Sequence, residues 1–157
     1  MKKYRIHPLF IAYVFLLVLI GQSLSVLWFF LAVILHELGH SFVAKKLGYK
    51  LDKLTIMPYG VCLNYNTKCF YGNDEIYIAL AGPLVNLFLI ILTVAFWWIF
   101  PITYNYTYLF CYANIMLFSF NFLPCYPLDG GRILVGLVSK KLQRKYAIKI
   151  SIIFNTL

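Results

Sequence analysis

Charged residues are scarce in this chain, and acidic ones are scarcer still. Charged side chains make up 12% of the 157 residues, and only five residues are Asp or Glu. A soluble domain typically has about 25% charged and about 45–50% apolar residues, whereas 62% of this chain is hydrophobic. That balance excludes a soluble globule, a disordered tail and a nucleic-acid-binding domain. It predicts an all-α polytopic membrane protein that forms a single domain over residues 1–157.

The fourteen basic residues fall into three groups, which long apolar stretches separate. Under the positive-inside rule these groups lie on the cytoplasmic side, and the uncharged connections 21–25 and 101–107 lie outside. We therefore expect a multi-pass protein of the cell membrane with a cytoplasmic N-terminus. The basic excess would contact anionic membrane lipid and not nucleic acid. The groups are Lys2, Lys3 and Arg5; Lys45, Lys46, Lys50, Lys53 and Lys68; and Arg132, Lys140, Lys141, Arg144, Lys145 and Lys149.

Four apolar stretches are long enough to span a hydrocarbon core of about 30 Å. They predict a bundle of about four to six transmembrane helices. The first stretch also fits a signal peptide, with its basic start and short apolar core. If it were cleaved, however, the next span would lack the partner span that crosses the membrane in the opposite direction. The last apolar run is too short to span, so we expect a truncated or incomplete C-terminus. The predicted helices are about 4–21, 24–47, 75–100 and 108–123, and the last run is 148–157.

Residues 49–74 contain two short alternating runs, 54–57 and 61–65, around the sequence Pro58-Tyr59-Gly60. Alternating apolar residues on both sides of such a turn predict a β-hairpin. We expect this hairpin on the cytosolic side of the membrane. Its edge could pair with an unwound substrate strand, and Gly60 at the turn is a candidate substrate-binding residue.

The second predicted helix carries three ionisable residues, His36, Glu37 and His40. Such side chains are costly inside a membrane span and mark functional sites. Residues four apart share one helix face, so both imidazoles can bind one zinc ion. Glu37 lies about 100° round the helix and can act as general base on a water molecule beside the metal. The alternative is three polar residues that hydrogen-bond within the bundle. Gly39 would leave room for a peptide.

Two histidines make an incomplete site, because catalytic zinc usually has three protein ligands and an open position. Asp129 lies just after the fourth helix, in a run that contains Pro124, Pro127, Gly130 and Gly131. Proline cannot continue a regular helix, and glycine permits unusual backbone angles. A break there would turn Asp129 inward as the third ligand. The alternative is that Asp129 caps the short helix that follows.

Other polar residues have weaker claims to a role at this site. Asp52, Asp74 and Glu75 lie in or beside the hairpin segment, where solvation or helix capping is the expected role. Cys125 fits a small buried hydrophobe better than a metal ligand. Asn86 on the third helix would either orient substrate or form a hydrogen bond between helices.

The position of the site along its helix predicts its depth in the membrane. His36 and Lys45 are nine residues apart, roughly 13 Å of helix at about 1.5 Å per residue. If Lys45 lies at the cytoplasmic interface, the metal lies below that surface but short of the opposite one. We therefore expect an active site within the bilayer that opens toward the cytosol.

Three motifs in this order resemble the site-2 protease family of intramembrane zinc metalloproteases: HELGH at 36–40, GPLVN at 82–86, and Asn121-x-x-Pro124 followed by LDG at 128–130. The resemblance covers about residues 1–140 and implies an all-helical fold with one Zn²⁺ ion. It implies His36, His40 and Asp129 as zinc ligands, Glu37 as the catalytic glutamate, and Asn121 beside the scissile carbonyl.

The sporulation branch of that family is the most similar one, because of the sequence PLDGGR and the lack of any inserted segment of PDZ length. Members of that branch cleave an inactive sigma-factor precursor, and they carry further helices and a regulatory nucleotide-binding domain beyond the segment that corresponds to this chain. The resemblance therefore implies a membrane-associated protein substrate, with regulatory membrane proteins as further partners.

The prediction from sequence is an intramembrane zinc metalloendopeptidase that hydrolyses membrane-associated or transmembrane proteins. A non-catalytic membrane scaffold or regulator with the same fold is the alternative, and it requires Glu37 to be dispensable. A metal transporter is a third class. Transporters tend to have internal repeats and discontinuous helices in matching halves, and the sequence contains neither.

Overall fold

The computed structural model describes residues 4–6, 19, 21, 23–57, 60–65, 73–140 and 144–153. Within these ranges the chain forms five helices, one 3₁₀ turn and a small sheet. In chain order the elements are β1 (Tyr4–Ile6), α1 (Ser23–Lys46), β2 (Leu51–Met57), β3 (Gly60–Tyr65), α2 (Asp74–Ile99), the 3₁₀ turn (Pro101–Thr103), α3 (Tyr104–Asn121), α4 (Asp129–Val138) and α5 (Arg144–Ile153).

Two of the described helices are long and apolar enough to cross a membrane, Leu24–Lys46 and Asp74–Ile99. They agree within about a residue with the second and third of the four spans that the sequence predicts, whereas α3, which corresponds to the fourth, is not among the membrane-capable helices of the described residues. Charged residues bound the two helices: Lys45 and Lys46 occupy the last turn of α1, and Asp74 and Glu75 occupy the first turn of α2. Acidic groups at a helix start and basic groups at its end complement the helix dipole.

Helix α3 begins at Tyr104, earlier than the predicted start at 108. The predicted external connection shrinks to the turn Pro101–Thr103 because side chains of α2 and α3 bind each other across it. The indole nitrogen of Trp97 donates a hydrogen bond to Oγ1 of Thr107 at 2.8 Å, and the rings of Trp97 and Tyr104 are 5.0 Å apart. These contacts order residues whose polarity predicts a loop.

The start of the chain differs from the prediction. Tyr4–Ile6, the expected first residues of a helix, form strand β1, which pairs in parallel with Leu54–Ile56. Hydrogen bonds to β2 satisfy the backbone groups that a helix would satisfy internally, so a helix cannot begin at Tyr4. Residues 7–18, 20 and 22 lie outside the described residues, so most of the predicted first helix and the signal-peptide alternative are untested.

The sheet has the order β1-β2-β3. Strands β2 and β3 run antiparallel, with Leu54 opposite Leu63 and Met57 opposite Gly60. These strands contain the two alternating runs of the sequence, although β2 begins three residues before its run. The turn residues 58–59 lie outside the described part. Helix α1 packs against β3, so the sheet lies beside the helix that carries the histidines.

Small residues fill the described interior, whereas large apolar side chains cover its surface. Ala32, Ala79 and Ala113 are among the buried residues, whereas Trp98 is 84% exposed and Phe88 is 62% exposed. A soluble protein buries its largest apolar side chains. In lipid there is little hydrophobic drive between helices, so small residues collect at helix contacts and large apolar ones face the hydrocarbon. The distribution of side chains is therefore that of a membrane protein.

Candidate metal centre

Three ligand-type atoms meet between α1 and the start of α4. Nε2 of His36 and Nε2 of His40 are 3.0 Å apart. Oδ2 of Asp129 lies 3.1 Å from the first and 3.1 Å from the second. All three residues are buried. The two histidines lie one helical turn apart on α1, so a regular helix is enough to bring them together.

Hydrogen bonds from α2 fix the orientation of both imidazoles. Nδ1 of His36 donates to Oδ1 of Asn86 at 2.7 Å, and Nδ1 of His40 donates to the main-chain oxygen of Ile78 at 2.6 Å. A ring nitrogen that donates its proton leaves the other nitrogen free to accept a metal ion. Such outer contacts normally accompany metal-binding histidines. In this site they direct both Nε2 atoms toward Asp129.

Gly82 brings α2 into contact with the two rings. A Cβ atom at this position would lie under 3.0 Å from Nε2 of His40 and from Cε1 of His36. Only glycine leaves enough space for the imidazoles against the backbone of α2. The glycine of the GPLVN motif therefore shapes the site directly, a role that its sequence position did not reveal.

Gly39 does not leave room for a peptide as the sequence predicted. It is buried, and a Cβ atom there would lie 2.8 Å from Cγ2 of Val85 and 2.9 Å from the main-chain oxygen of Ala81. The residue therefore faces α2 and allows the two helices to approach closely. The prediction failed because spacing along one helix does not reveal which neighbour covers each face.

Asp129 uses its two carboxylate oxygens differently. Oδ2 faces the histidines, whereas Oδ1 accepts a hydrogen bond from a guanidinium nitrogen of Arg132 at 3.3 Å. Asp129 is the first residue of α4, and Leu128 is the N-cap. The expected break exists: residues 122–128 separate α3 from α4. Arg132 has no part in the predicted site, although its position three residues after Asp129 on a helix places it on the same face.

Glu37 is next to this triangle and is only partly buried. Its charge interacts with those of His36, His40, Asp129 and Arg132. Glu37 is not itself one of the three convergent groups. A carboxylate near the metal ligands that does not bind the metal can accept a proton from water.

The remaining predicted residues lie in three different places. Asn86 is fully buried and forms the interhelical hydrogen bond with His36, while its Nδ2 finds no partner among the described residues. Asn121 is the last residue of α3 and is half-buried. Gly60 begins β3. The role of each in substrate binding or catalysis stays a prediction.

Asp74 and Glu75, two acidic residues beside the hairpin, lie in different environments. Oδ2 of Asp74 accepts a hydrogen bond from the hydroxyl of Tyr49 at 2.7 Å. Glu75 is only 4% exposed, so the expected solvated position is wrong for this residue. It lies in the first turn of α2, where the helix dipole favours a negative charge. The side chain of Asp52 lies outside the described residues.

The three convergent atoms fit a zinc ion. A tetrahedral ion with bonds of about 2.0–2.1 Å holds its ligands about 3.3 Å apart, close to the separations of 3.0 to 3.1 Å found here. Two imidazole nitrogens and one carboxylate oxygen form a donor set typical of catalytic zinc, with one coordination position left for water. His36, His40 and Asp129 can therefore hold one such ion.

Comparisons with known proteins find similarity to a peptidase family and to zinc metalloproteases. The model of peptidase family M50 matches residues 24–104 and 100–157. A zinc metalloprotease of Methanocaldococcus jannaschii is 39% identical over 149 residues, which cover 87% of this chain and 43% of the relative. Stage IV sporulation protein FB of Bacillus subtilis is 29% identical over 157 residues, which cover 96% of this chain and 52% of the relative.

The fold is also similar to a solved structure, the site-2 protease from Methanocaldococcus jannaschii. The TM-score is 0.73 at 33% sequence identity, and the match covers 96% of this chain and 74% of that one. Against the two curated relatives, however, the chain spans only about half of their length or less, 43% and 52%.

Proposed function

The chain belongs to peptidase family M50, and from this premise we propose that it hydrolyses peptide bonds within the membrane. Zinc metalloproteases of this family are hydrolases. The observation that carries the proposal is the triangle of His36, His40 and Asp129, whose ligand atoms lie 3.0 to 3.1 Å apart. It lies between α1, which is long enough to span a membrane, and α4.

The proposed reaction needs a metal, a base and a positioned peptide. Zinc, when bound, polarises the scissile carbonyl and lowers the pKa of a water molecule toward about 7. Glu37 takes a proton from the attacking water and returns it to the leaving amine. The hydrogen bonds to Asn86 and Ile78 hold the two imidazoles in place. Asn121 is the proposed contact for the substrate carbonyl.

We propose that the site opens toward the cytosol, in a multi-pass protein whose N-terminus is cytoplasmic. Lys45 and Lys46 end α1, close beyond His40, and basic residues cluster again in and after α4. Basic residues favour the cytoplasmic side of a membrane and attract anionic lipid. The proposed partners are therefore membrane lipid and a membrane-associated protein substrate.

The sheet is the proposed substrate-docking element. Strand β2 has neighbours on both sides, so among the described strands only β1 and β3 have an open edge. Strand β3 packs against α1, and an unwound substrate could add to its edge through main-chain hydrogen bonds. This arrangement would place the substrate beside the metal-binding helix, with Gly60 at the start of the docking strand.

The substrate class that we propose includes an inactive sigma-factor precursor of sporulation. Its support is the sequence PLDGGR at 127–132 and the similarity to stage IV sporulation protein FB over 96% of this chain. Regulatory membrane proteins are proposed as further partners on the same ground.

The decisive experiment is co-expression with candidate membrane substrates, comparing the unsubstituted protein with Glu37→Gln. We expect cleavage to fall by about 10²- to 10⁴-fold, the usual contribution of a general base. Zinc content should stay at one ion per chain, because Glu37 is not among the convergent ligands.

His36→Ala is the matched control, since it removes a ligand and should lower both zinc content and cleavage. Undiminished processing by Glu37→Gln would contradict the protease proposal and favour the membrane scaffold. Loss of zinc together with cleavage in Glu37→Gln would show that Glu37 is needed to form the site, and would contradict its assignment as the base.

A further inference from the structure

The segment 122–128, which connects α3 to α4, carries Asp129 to the metal site without regular secondary structure. Two of its residues, Pro124 and Pro127, have no N–H group. Irregular backbone at membrane depth persists only where protein or water satisfies its polar groups. The hydrogen bonds of this short segment therefore decide whether Asp129 keeps its position.

Main-chain carbonyls account for all but one of the N–H groups of this segment. Phe122 and Leu123 donate to the last turn of α3, Cys125 donates to the oxygen of Leu123, and Leu128 donates to the oxygen of Cys125. The exception is Tyr126. Its N–H donates to Oγ of Ser151 at 3.0 Å, and Ser151 lies in α5.

Ser151 makes a second contact with the same segment. Its hydroxyl donates to the main-chain oxygen of Pro124 at 3.2 Å. The side chain therefore joins the carbonyl of Pro124 to the N–H of Tyr126 and closes a ring around Cys125. Ser151 is fully buried, and both of these hydrogen bonds are partly buried.

Helix α4 holds the same segment through its two glycines. A Cβ atom on Gly131 would lie under 3.0 Å from the peptide between Cys125 and Tyr126, and one on Gly130 would lie equally close to the carbonyls of Phe122 and Leu123. The connecting segment is thus packed against the first turn of α4 while α5 supplies its missing hydrogen bonds. Any shift at Tyr126 passes to Asp129, three residues later.

We propose that Ser151 is a positioning residue for the metal site, which acts through segment 122–128 on Asp129. The identity of the metal in this inference rests on the proposed function. The hydrogen bonds of Ser151 are observed independently of that function. Without the hydroxyl, the carbonyl of Pro124 and the N–H of Tyr126 lose a partly buried hydrogen bond each, and the loss of such a bond is unfavourable. The segment then relaxes, and Oδ2 of Asp129 leaves the two imidazoles.

The test compares Ser151→Ala with Ser139→Ala in purified full-length protein. Ser139 is the matched control, because its hydroxyl donates to Gly136 in its own turn of helix and does not contact the connecting segment. We expect Ser151→Ala to raise the dissociation constant for zinc about 3- to 10-fold, the effect of losing a hydrogen bond of ordinary net strength. Ser139→Ala should leave the constant unchanged.

A second readout works without zinc and separates a local effect from general unfolding. Two single-cysteine forms are made, one that keeps Cys125 inside the ring and one that keeps Cys111, buried in α3. Maleimide labelling of the metal-free protein is then timed in each. We expect Ser151→Ala to speed labelling of Cys125 at least about tenfold while Cys111 reacts as before.

Unchanged zinc affinity, unchanged labelling of Cys125, or equal acceleration at both cysteines would overturn the proposal. Equal acceleration would mean that Ser151 supports the fold as a whole and not this segment. If the unsubstituted protein bound no zinc, the proposed function would fail, while the ratio of the two labelling rates would still decide the role of Ser151.

Discussion

The two sides of the candidate metal site are built in different ways. The histidine side consists of one turn of the regular helix α1, backed by α2 through Asn86, Ile78 and Gly82. The carboxylate side consists of Asp129 at the start of α4, after a broken segment. It depends on Arg132 in its own helix and on Ser151 in α5.

We expect the two sides of the site to differ in rigidity. Two long helices in contact along small residues form a rigid support, because close packing leaves little room for movement. The carboxylate side is held by a few hydrogen bonds, each of modest net strength. We therefore expect substitutions on the histidine side to damage the site most, and those on the carboxylate side to produce graded changes.

Gly82→Ala should have the largest effect. The added methyl group overlaps both imidazole rings, so the rings must move or α2 must retreat. Moving catalytic groups by about 1 Å costs on the order of 10²-fold in rate, and we expect at least that loss of cleavage together with reduced zinc content. Leu84→Ala is the control on the exposed face of the same helix. Normal zinc content in Gly82→Ala would contradict a rigid contact between α2 and the two imidazole rings.

Asn86→Leu should have the next largest effect. It removes the acceptor of the His36 proton, so the ring can rotate or change tautomer. Loss of such a contact usually weakens metal binding by about 10- to 100-fold, which a zinc titration would measure. Asn86→Asp keeps an oxygen acceptor and should bind zinc more tightly than Asn86→Leu. Equal affinities for the two variants would contradict the orienting role of this hydrogen bond.

Arg132→Gln should have the smallest effect. The Arg132 side chain is 24% exposed, and ion pairs that water reaches are worth only about 0.2–1 kcal/mol. We expect zinc affinity to fall by at most about fivefold, measured by the same titration, and Arg132→Lys to recover part of that loss. A loss as large as that of Asn86→Leu would mean that the carboxylate side is as rigid as the other.

The sequence predicted helices α1 and α2 well because continuous apolar runs determine them. The bounds of α1 and α2 lie within about a residue of those predicted. Charged residues interrupt the apolar run at the end of α1 and at the start of α2. Strand β1 was missed because its partners, Leu54–Ile56, are remote in the chain. The early start of α3 was missed because it depends on Trp97 in the preceding helix.

The candidate site was predictable where local spacing determines it. Helical periodicity brings His36 and His40 together, and the prolines around residue 125 indicate the break that turns Asp129 inward. Other parts leave no trace in the sequence. The acceptor for His40 is a main-chain oxygen of Ile78, which any residue could supply, and Ser151 is one serine in a short apolar run with no motif around it.

The parallel pairing of Tyr4–Ile6 with Leu54–Ile56 has a practical consequence for tags and fusions. A fusion partner joined before Tyr4 would be attached to β1, the edge strand that pairs with β2. It would therefore lie beside the β2–β3 hairpin. Purification tags at this end therefore need a flexible spacer of several glycines and serines. Without one, steric crowding by the tag would alter the sheet that we propose as the substrate-docking element, and a cleavage assay of the tagged protein would give a falsely low result.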